Sequence, residues 1–307
     1  MSILVFGHKN PDTDTICSAI AYAELKGKLG KDVKAVRLGE VNEETKFVLD
    51  YFKVEKPELI ESVSGKEIML VDHNERTQTA DGFEEAKVLE LVDHHRISNF
   101  NVDEPLYVRM EPVGCTATII LKLFKENNLL PAPTTAGLML SAIVSDTLLF
   151  KSPTCTECDV KAGKELAEIA GVNVEEYGLE MLKAGTALGG KSEVELINMD
   201  MKIFEVDGSK IGVAQVNTVN EAEILERKEK LLVEINNIIK KEGLKFFIFA
   251  ITNILSNDST GIVAGDGNAI IEKAFNEKID NNLIALKGVV SRKKQIIPPL
   301  TKAIQEA

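Results

Sequence analysis

The sequence predicts an α/β protein of two units: a larger one built on a helix-flanked parallel sheet, then a smaller α/β unit. Three patterns support this. In the first half, short apolar runs alternate with helix-like segments, the arrangement of βαβ units. Those runs lack polar alternation, as strands covered on both faces require. A Gly-rich break, LGGKS at 188–192, then separates this half from a stretch of different pattern. The expected units are residues 1–187 and 193–307, joined by 188–192. A chain of 307 residues fits two domains of about 150 residues each.

The elements follow in order. Residues 2–7 read as a buried strand, and 15–30 as a helix closed by Gly30. A second strand is expected at 32–39, a helix at 43–54, and strands at 67–73 and 87–95. From 115 the pattern turns helical, with apolar residues at helical spacing over 115–128, 134–149, 157–171 and 174–185. In the second half, 201–217 reads as two strands joined at Asp207-Gly208, a hairpin signal. Residues 221–243 read as one long amphipathic helix ended by Gly243. Strands are expected at 246–254 and 261–265, and a last helix begins at the prolines of 296–305.

Composition narrows the function. Apolar residues are 44% and charged residues 27%, enough for ordinary globular cores. No apolar run approaches the roughly 20 residues of a membrane helix. The N-terminus reads without a signal peptide, so the expected compartment is the cytoplasm. A net charge of -12 argues against broad nucleic-acid binding but not against a small anion held by cations or a local basic cluster. Cys155 and Cys158 form a lone C-x-x-C. No second pair follows to complete a zinc site, so they read as ordinary thiols.

Four segments place acidic or histidine residues where an apolar run ends: Gly7-His8-Lys9-Asn10-Pro11-Asp12-Thr13-Asp14, Val71-Asp72-His73-Asn74, Val92-Asp93-His94-His95 and Ser145-Asp146. All four histidines lie in these segments, with five aspartates. Any one histidine alone would read as a satisfied core or surface residue. Ligands in parallel α/β sheets sit at the carboxyl ends of strands, so the segments should converge on one crevice. Mixed carboxylate and imidazole donors suit a divalent ion such as manganese or cobalt. Two ions about 3.5–4 Å apart need a shared carboxylate and private ligands. Asp12 and Asp14, spaced i, i+2 on an extended loop, would point different ways and could each serve a different ion. Asp14 or Thr15 would cap the helix expected near Ile16. In the second half, Ser291-Arg292-Lys293-Lys294-Gln295 interrupts apolar surroundings and could hold an anion, since arginine grips phosphate oxygens in pairs. Lys202 is a weaker candidate. P-loop, Rossmann and serine-hydrolase signatures are all missing.

GHKNPDTD, VDHNE, VDHH and a helix-terminal SD, in this order, resemble the DHH phosphoesterases. The SRKKQ segment narrows the resemblance to the family II, manganese-dependent inorganic pyrophosphatases. It runs from Gly7 to Gln295. It implies a DHH domain and a DHHA2-type domain with the active site in the cleft between them, and two Mn2+ or Co2+ ions per site. His8, Asp12 and Asp72 would bind one ion. Asp14, Asp72, His94 and Asp146 would bind the other, with Asp72 bridging. A further Mg2+ or Mn2+ could enter with substrate. His95 would lie beside pyrophosphate and assist the leaving group, and Lys202, Arg292 and Lys293 would grip its phosphates. A hydroxide between the ions would attack one phosphorus. The resemblance also implies a homodimer through the first domain. The intervals between the motifs are too short for inserted regulatory domains. Thr15, where serine is more usual, should not affect the metals.

Two rival readings share the motifs. An exopolyphosphatase or a phosphodiesterase of short oligonucleotides would share the metal site, but should carry a glycine-rich motif near the C-terminus, where this chain has SRKKQ and only a short GDG at 265–267. Aromatic residues are 5% with no Trp, which leaves few platforms for stacking bases. A non-catalytic phosphate sensor would be expected to have lost some ligand positions, and here all are filled.

Overall fold

The computed structural model describes residues 2–186 and 188–306. The chain divides after Gly185 into two units. The boundary expected at Ala187 falls outside the described residues.

The first unit runs β1 (Ile3–Phe6), α1 (Thr13–Lys28), β2 (Val33–Arg37), α2 (Glu43–Phe52), β3 (Glu58–Leu59), β4 (Glu67–Val71), β5 (Lys87–Asp93), β6 (Tyr107–Met110), α3 (Thr116–Glu126), α4 (Pro133–Asp146), α5 (Glu157–Ala170) and α6 (Val174–Gly185). Its six strands are all parallel, in the order β3-β2-β1-β4-β5-β6. β3 and β6 are additions to the four expected strands. β3 is exposed and β6 half-exposed, and neither carries the apolar run that marks a buried strand. The chain leaves β1 toward β2 on one side and later returns through β4 on the other. β1 and β4 therefore flank the reversal in strand order, where ligands of such sheets bind.

Two helix boundaries differ from the sequence reading, and both bear on the site. α1 starts at Thr13 rather than near Ile16. Its N-cap is Asp12, whose carboxylate accepts from Thr15 N at 2.9 Å. Asp14 thus sits inside the first turn, not on an extended loop. α4 ends at Asp146 instead of continuing to Leu149. Leu148, Leu149 and Phe150 follow in left-handed conformation, with φ of 47°, 54° and 64°. Such a run of non-glycine residues is costly, about 1–2 kcal/mol each. Packing offsets it: Leu149 lies where a Cβ on Gly178 of α6 would stand, and Phe150 lies against Gly163 of α5. The turn is tied internally by Leu149 N to Val144 O at 2.9 Å and Ser152 N to Thr147 O at 2.8 Å.

The second unit runs α7 (Glu193–Asn198), β7 (Met201–Val206), β8 (Ser209–Thr218), α8 (Glu221–Leu225), α9 (Lys228–Glu242), β9 (Phe246–Asn253), β10 (Asp258–Gly265), α10 (Asn268–Phe275), β11 (Leu283–Leu286), a π-helical turn (Arg292–Ile296) and α11 (Ile297–Gln305). Its sheet order is β11-β10-β9-β8-β7, antiparallel except for the parallel β8–β9 pair. β9 shows why it is central. Phe247, Phe249 and Ile251 enter one core, and Phe246, Ile248 and Ala250 the other, as period-2 alternation dictates. The single helix expected over 221–243 is broken. Arg227, at the break, donates to Glu193 and to the carbonyls of Leu188 and Lys191. Leu188 is buried in this unit's core, and Ser192 caps α7 with Glu195. The 188–192 stretch is therefore built into the second unit from Leu188 onward, rather than being a free connection.

Candidate metal centre

The carboxyl ends of β1, β4 and β5 deliver His8, Asp72 and the 93–95 segment to one place, with Asp12 and Asp14 from the start of α1 and Asp146 from the end of α4. His8 Nε2 lies 3.4 Å from Asp12 Oδ2 and 3.5 Å from Asp72 Oδ2. His94 Nε2 lies 3.5 Å from Asp72 Oδ1 and 3.9 Å from Asp146 Oδ2. Asp72 thus presents one oxygen to each imidazole. His8, Asp12 and Asp72 form one group of potential donors, with atoms within 4.8 Å of one another. The second expected set is divided: Asp72 and His94 group with His95, while Asp14 and Asp146 group with Cys115.

The surroundings hold these donors still. His8 Nδ1–H donates to the Lys9 carbonyl at 2.8 Å, and His94 Nδ1–H to the Val113 carbonyl at 3.1 Å. A carbonyl only accepts, so the Nδ1 proton is fixed in place and Nε2, facing the carboxylates, is the nitrogen that exchanges its proton for a metal. Asp72 Oδ2 accepts from Thr15 Oγ1 at 2.6 Å and Oδ1 from Thr116 Oγ1 at 3.2 Å. Asp14 Oδ2 accepts from Thr116 N at 2.8 Å, and its other oxygen from Ser18.

Electrostatics show what the cluster wants. Burial, then the charges of Asp14 and Asp12, push Asp72 up to about 7 against the opposing hydrogen bond from His94. Burial, Asp14 and Asp72 push Asp146 far above the usual carboxylate range. Burial alone would lower His8, but Asp12 and Asp72 raise it to about 9. Burial likewise opposes, and Asp72 and Asp14 outweigh it, so His94 also reaches about 9. Among the described residues, no lysine ammonium or arginine guanidinium pairs with these side chains. The cluster is a buried excess of negative charge that takes protons where cations would serve. Ligands held about 2.0–2.2 Å from one ion sit roughly 3–3.5 Å apart, close to the separations here. The donor set fits divalent metals.

Several residues that the motifs left without a role prove to be part of the site. Asp93 is fully buried. Its Oδ1 accepts from His95 N at 3.1 Å and from His95 Nδ1–H at 2.9 Å. Asn74 donates to its other oxygen, donates to the Arg96 carbonyl and accepts from Ser98 N. His95 is therefore held at Nδ1, and this bond raises its pKa. His8, Asp72, His73, Asn74, His95 and Arg96 are among the residues lining a cavity of about 390 Å³. Asp93 was visible beside His94 in the sequence. Thr116 and Cys115 gave no signal of their own, since small residues are unremarkable in sequence, and Thr15 stood out only as a possible helix cap and a departure from the usual serine. Thr15 in particular is bonded directly to Asp72.

The basic candidates lie in the second unit. Lys202 is exposed on the edge strand β7, and Arg292 and Lys293 lie in the π-helical turn. Ser291 caps that turn, and Gln215 accepts from Arg292 N at 2.9 Å. The Arg292 guanidinium pairs with Asp200 Oδ1 at 2.8 Å and also donates to the Asp200 carbonyl. Lys293 is exposed.

The N-terminal domain model of the DHH family matches residues 2–143, and the DHHA2 domain model matches 179–303. An Exiguobacterium protein described as a probable manganese-dependent inorganic pyrophosphatase is 60% identical over 304 residues, 98% of each chain. The chain belongs to the manganese-dependent inorganic pyrophosphatase family. A Bacillus cereus member with the same description is 56% identical over 305 residues, 99% of each chain. The crystal structure of a Methanococcus jannaschii chain assigned to the family II inorganic pyrophosphatases matches with a TM-score of 0.64 and 44% identity, covering 99% of this chain and 100% of that one.

Proposed function

We propose that this chain hydrolyses inorganic pyrophosphate to two phosphates at a two-metal centre. The observation that carries it is Asp72, buried between two imidazole Nε2 atoms that each face a different oxygen of its carboxylate. In this reading His8, Asp12 and Asp72 hold one Mn2+, and Asp14, Asp72, His94 and Asp146 hold the second. Co2+ suits the same donors, and a further Mg2+ or Mn2+ enters with substrate. The bound ions would neutralise phosphate charge and lower the pKa of coordinated water so that a nucleophile exists near neutral pH.

The chain's own residues supply the rest. His95, fixed at Nδ1 by Asp93, keeps Nε2 for the cavity and hands a proton to the departing phosphate. Arg292, Lys293 and Lys202 hold phosphoryl oxygens and stabilise their charge in the transition state. Arg292 exchanges its bond with Asp200 for one with substrate. Assembly as a homodimer through the first unit belongs to the same reading. The edge strand β6 exposes Tyr107 and Val108, consistent with an edge covered by a second copy.

The test is phosphate release by chelated protein, by protein reloaded with manganese, and with tripolyphosphate or a short oligonucleotide in place of pyrophosphate. Hydrolysis of pyrophosphate alone, restored by manganese, is expected. Preference for tripolyphosphate or the oligonucleotide would move the substrate to the rival phosphohydrolases.

A further inference from the structure

Asp12 and Asp14 stand at the start of α1, and Asp146 at the end of α4. Three carboxylates on two helix ends repel one another, so something must hold those ends together when metal is away. α4 gives no help past Asp146, because the chain leaves at once into the left-handed turn. A third helix supplies the tie. Glu44, in the first turn of α2, accepts from Thr13 Oγ1 at 2.6 Å and from Ser145 Oγ at 2.5 Å, both at Oε1. Thr13 lies between Asp12 and Asp14, and Ser145 immediately precedes Asp146. Thr13 is also within 3.1 Å of Thr45 Oγ1, the neighbour of Glu44. Behind Glu44 stands Gly185 of α6. A Cβ there would come within 2.8 Å of Glu44 Cβ and Oε2, so the helix closes the space into which the side chain could swing.

We infer that Glu44 is a positioning residue that fixes the separation of the two helix ends carrying Asp12, Asp14 and Asp146, and so sets the affinity of the metal centre. This rests on the reading of those aspartates as ligands. Glu44 reaches no metal itself. One oxygen bonded to both segments keeps the three carboxylates in register against their mutual repulsion. Partners that orient first ligands in this way typically contribute about 10–100-fold in metal affinity.

The experiment is a titration of metal-free protein with Mn2+ by calorimetry, without substrate, alongside its melting temperature. Parent protein binding two ions supports the ligand assignment. Failure to do so would remove that assignment, and the role of Glu44 with it, whatever the variants do. Relative to parent, Glu44→Ala should bind at least one ion about 10–100-fold more weakly. Glu44→Gln should stay close to parent, because its Oε1 can accept the same two bonds. Ser145→Ala removes one arm of the tie and should also weaken binding, which keeps the question open to test if Glu44→Ala fails to fold. Unchanged affinity in Glu44→Ala or Ser145→Ala would overturn the inference, as would Glu44→Gln binding as weakly as Glu44→Ala.

Discussion

Asp72 leaves β4 with φ of 60°, a left-handed conformation that aspartate adopts more readily than most residues but still at a cost. The turn aims its carboxylate back across the strand ends, so that Thr15, Thr116, His8 and His94 all approach it. A strained residue at the centre of a cluster is a sign of function, because packing alone would relax it. Asp72→Ala is expected to lose both ions, since the carboxylate shared between them is gone. Arg292→Ala should keep parental manganese while kcat falls and KM rises, a loss on the order of 10²–10³ in kcat for one transition-state donor. Manganese per chain after desalting, measured beside phosphate release, separates the two. Two ions retained in Asp72→Ala, or lost in Arg292→Ala, would sink the assignment of roles.

At the scale of elements, the sequence showed the donors better than the backbone that presents them. The strand-end motifs were legible because a parallel sheet sends its carboxyl ends to one side whatever the details. Asp12 and Asp14 were legible as a pair serving different groups, but for the wrong reason. The helix begins at Thr13, and its geometry, not an extended loop, separates them. The left-handed turn at 148–150 carries no glycine or asparagine, so local propensity predicts the helix to continue. Tertiary packing into the spaces beside Gly163 and Gly178 overrides it, and no local pattern reveals that. The break at Arg227 is likewise fixed by distant carbonyls. The turn makes a prediction. In α5, a Cβ on Gly163 would lie 2.6 Å from Phe150 Cζ. Alanine gains about 1 kcal/mol of helix propensity, but overpacking a rigid ring costs about 1–3 kcal/mol. Gly163→Ala should therefore lower stability to urea. Gly27→Ala, at an exposed position in α1 with open space around it, should raise stability by about 0.5–1 kcal/mol. Equal effects at the two sites would mean that Phe150 yields freely and the turn is not held by its packing.

For the molecule as a whole, a net charge of -12 with aspartates gathered in one cluster makes stability depend on what neutralises them. In metal-free protein the neutralisers are protons. His8 and His94 are each raised from 6.5 to about 9. Between those values the folded protein keeps protons that the unfolded chain has released. The stability they contribute is complete below pH 6.5 and is lost as pH rises through 9. Asp72, raised to about 7, acts with the same sign at lower pH. His73, held by burial near 4, acts oppositely, but only below 6.5, where the unfolded histidine still binds its proton. Across pH 7 to 9 His8 and His94 therefore govern the loss, and His95 and Asp146, both raised, act in the same sense. Chelated protein should unfold at lower urea at pH 9 than at pH 7. Manganese competes with those same protons, so its affinity should climb over the interval, and saturating Mn2+ should reduce or reverse the loss. Urea midpoints with and without the ion at both pH values measure this. A chelated protein as stable at pH 9 as at pH 7 would mean that the aspartates do not hold the two imidazoles protonated, and that the cluster is less negative than its geometry requires.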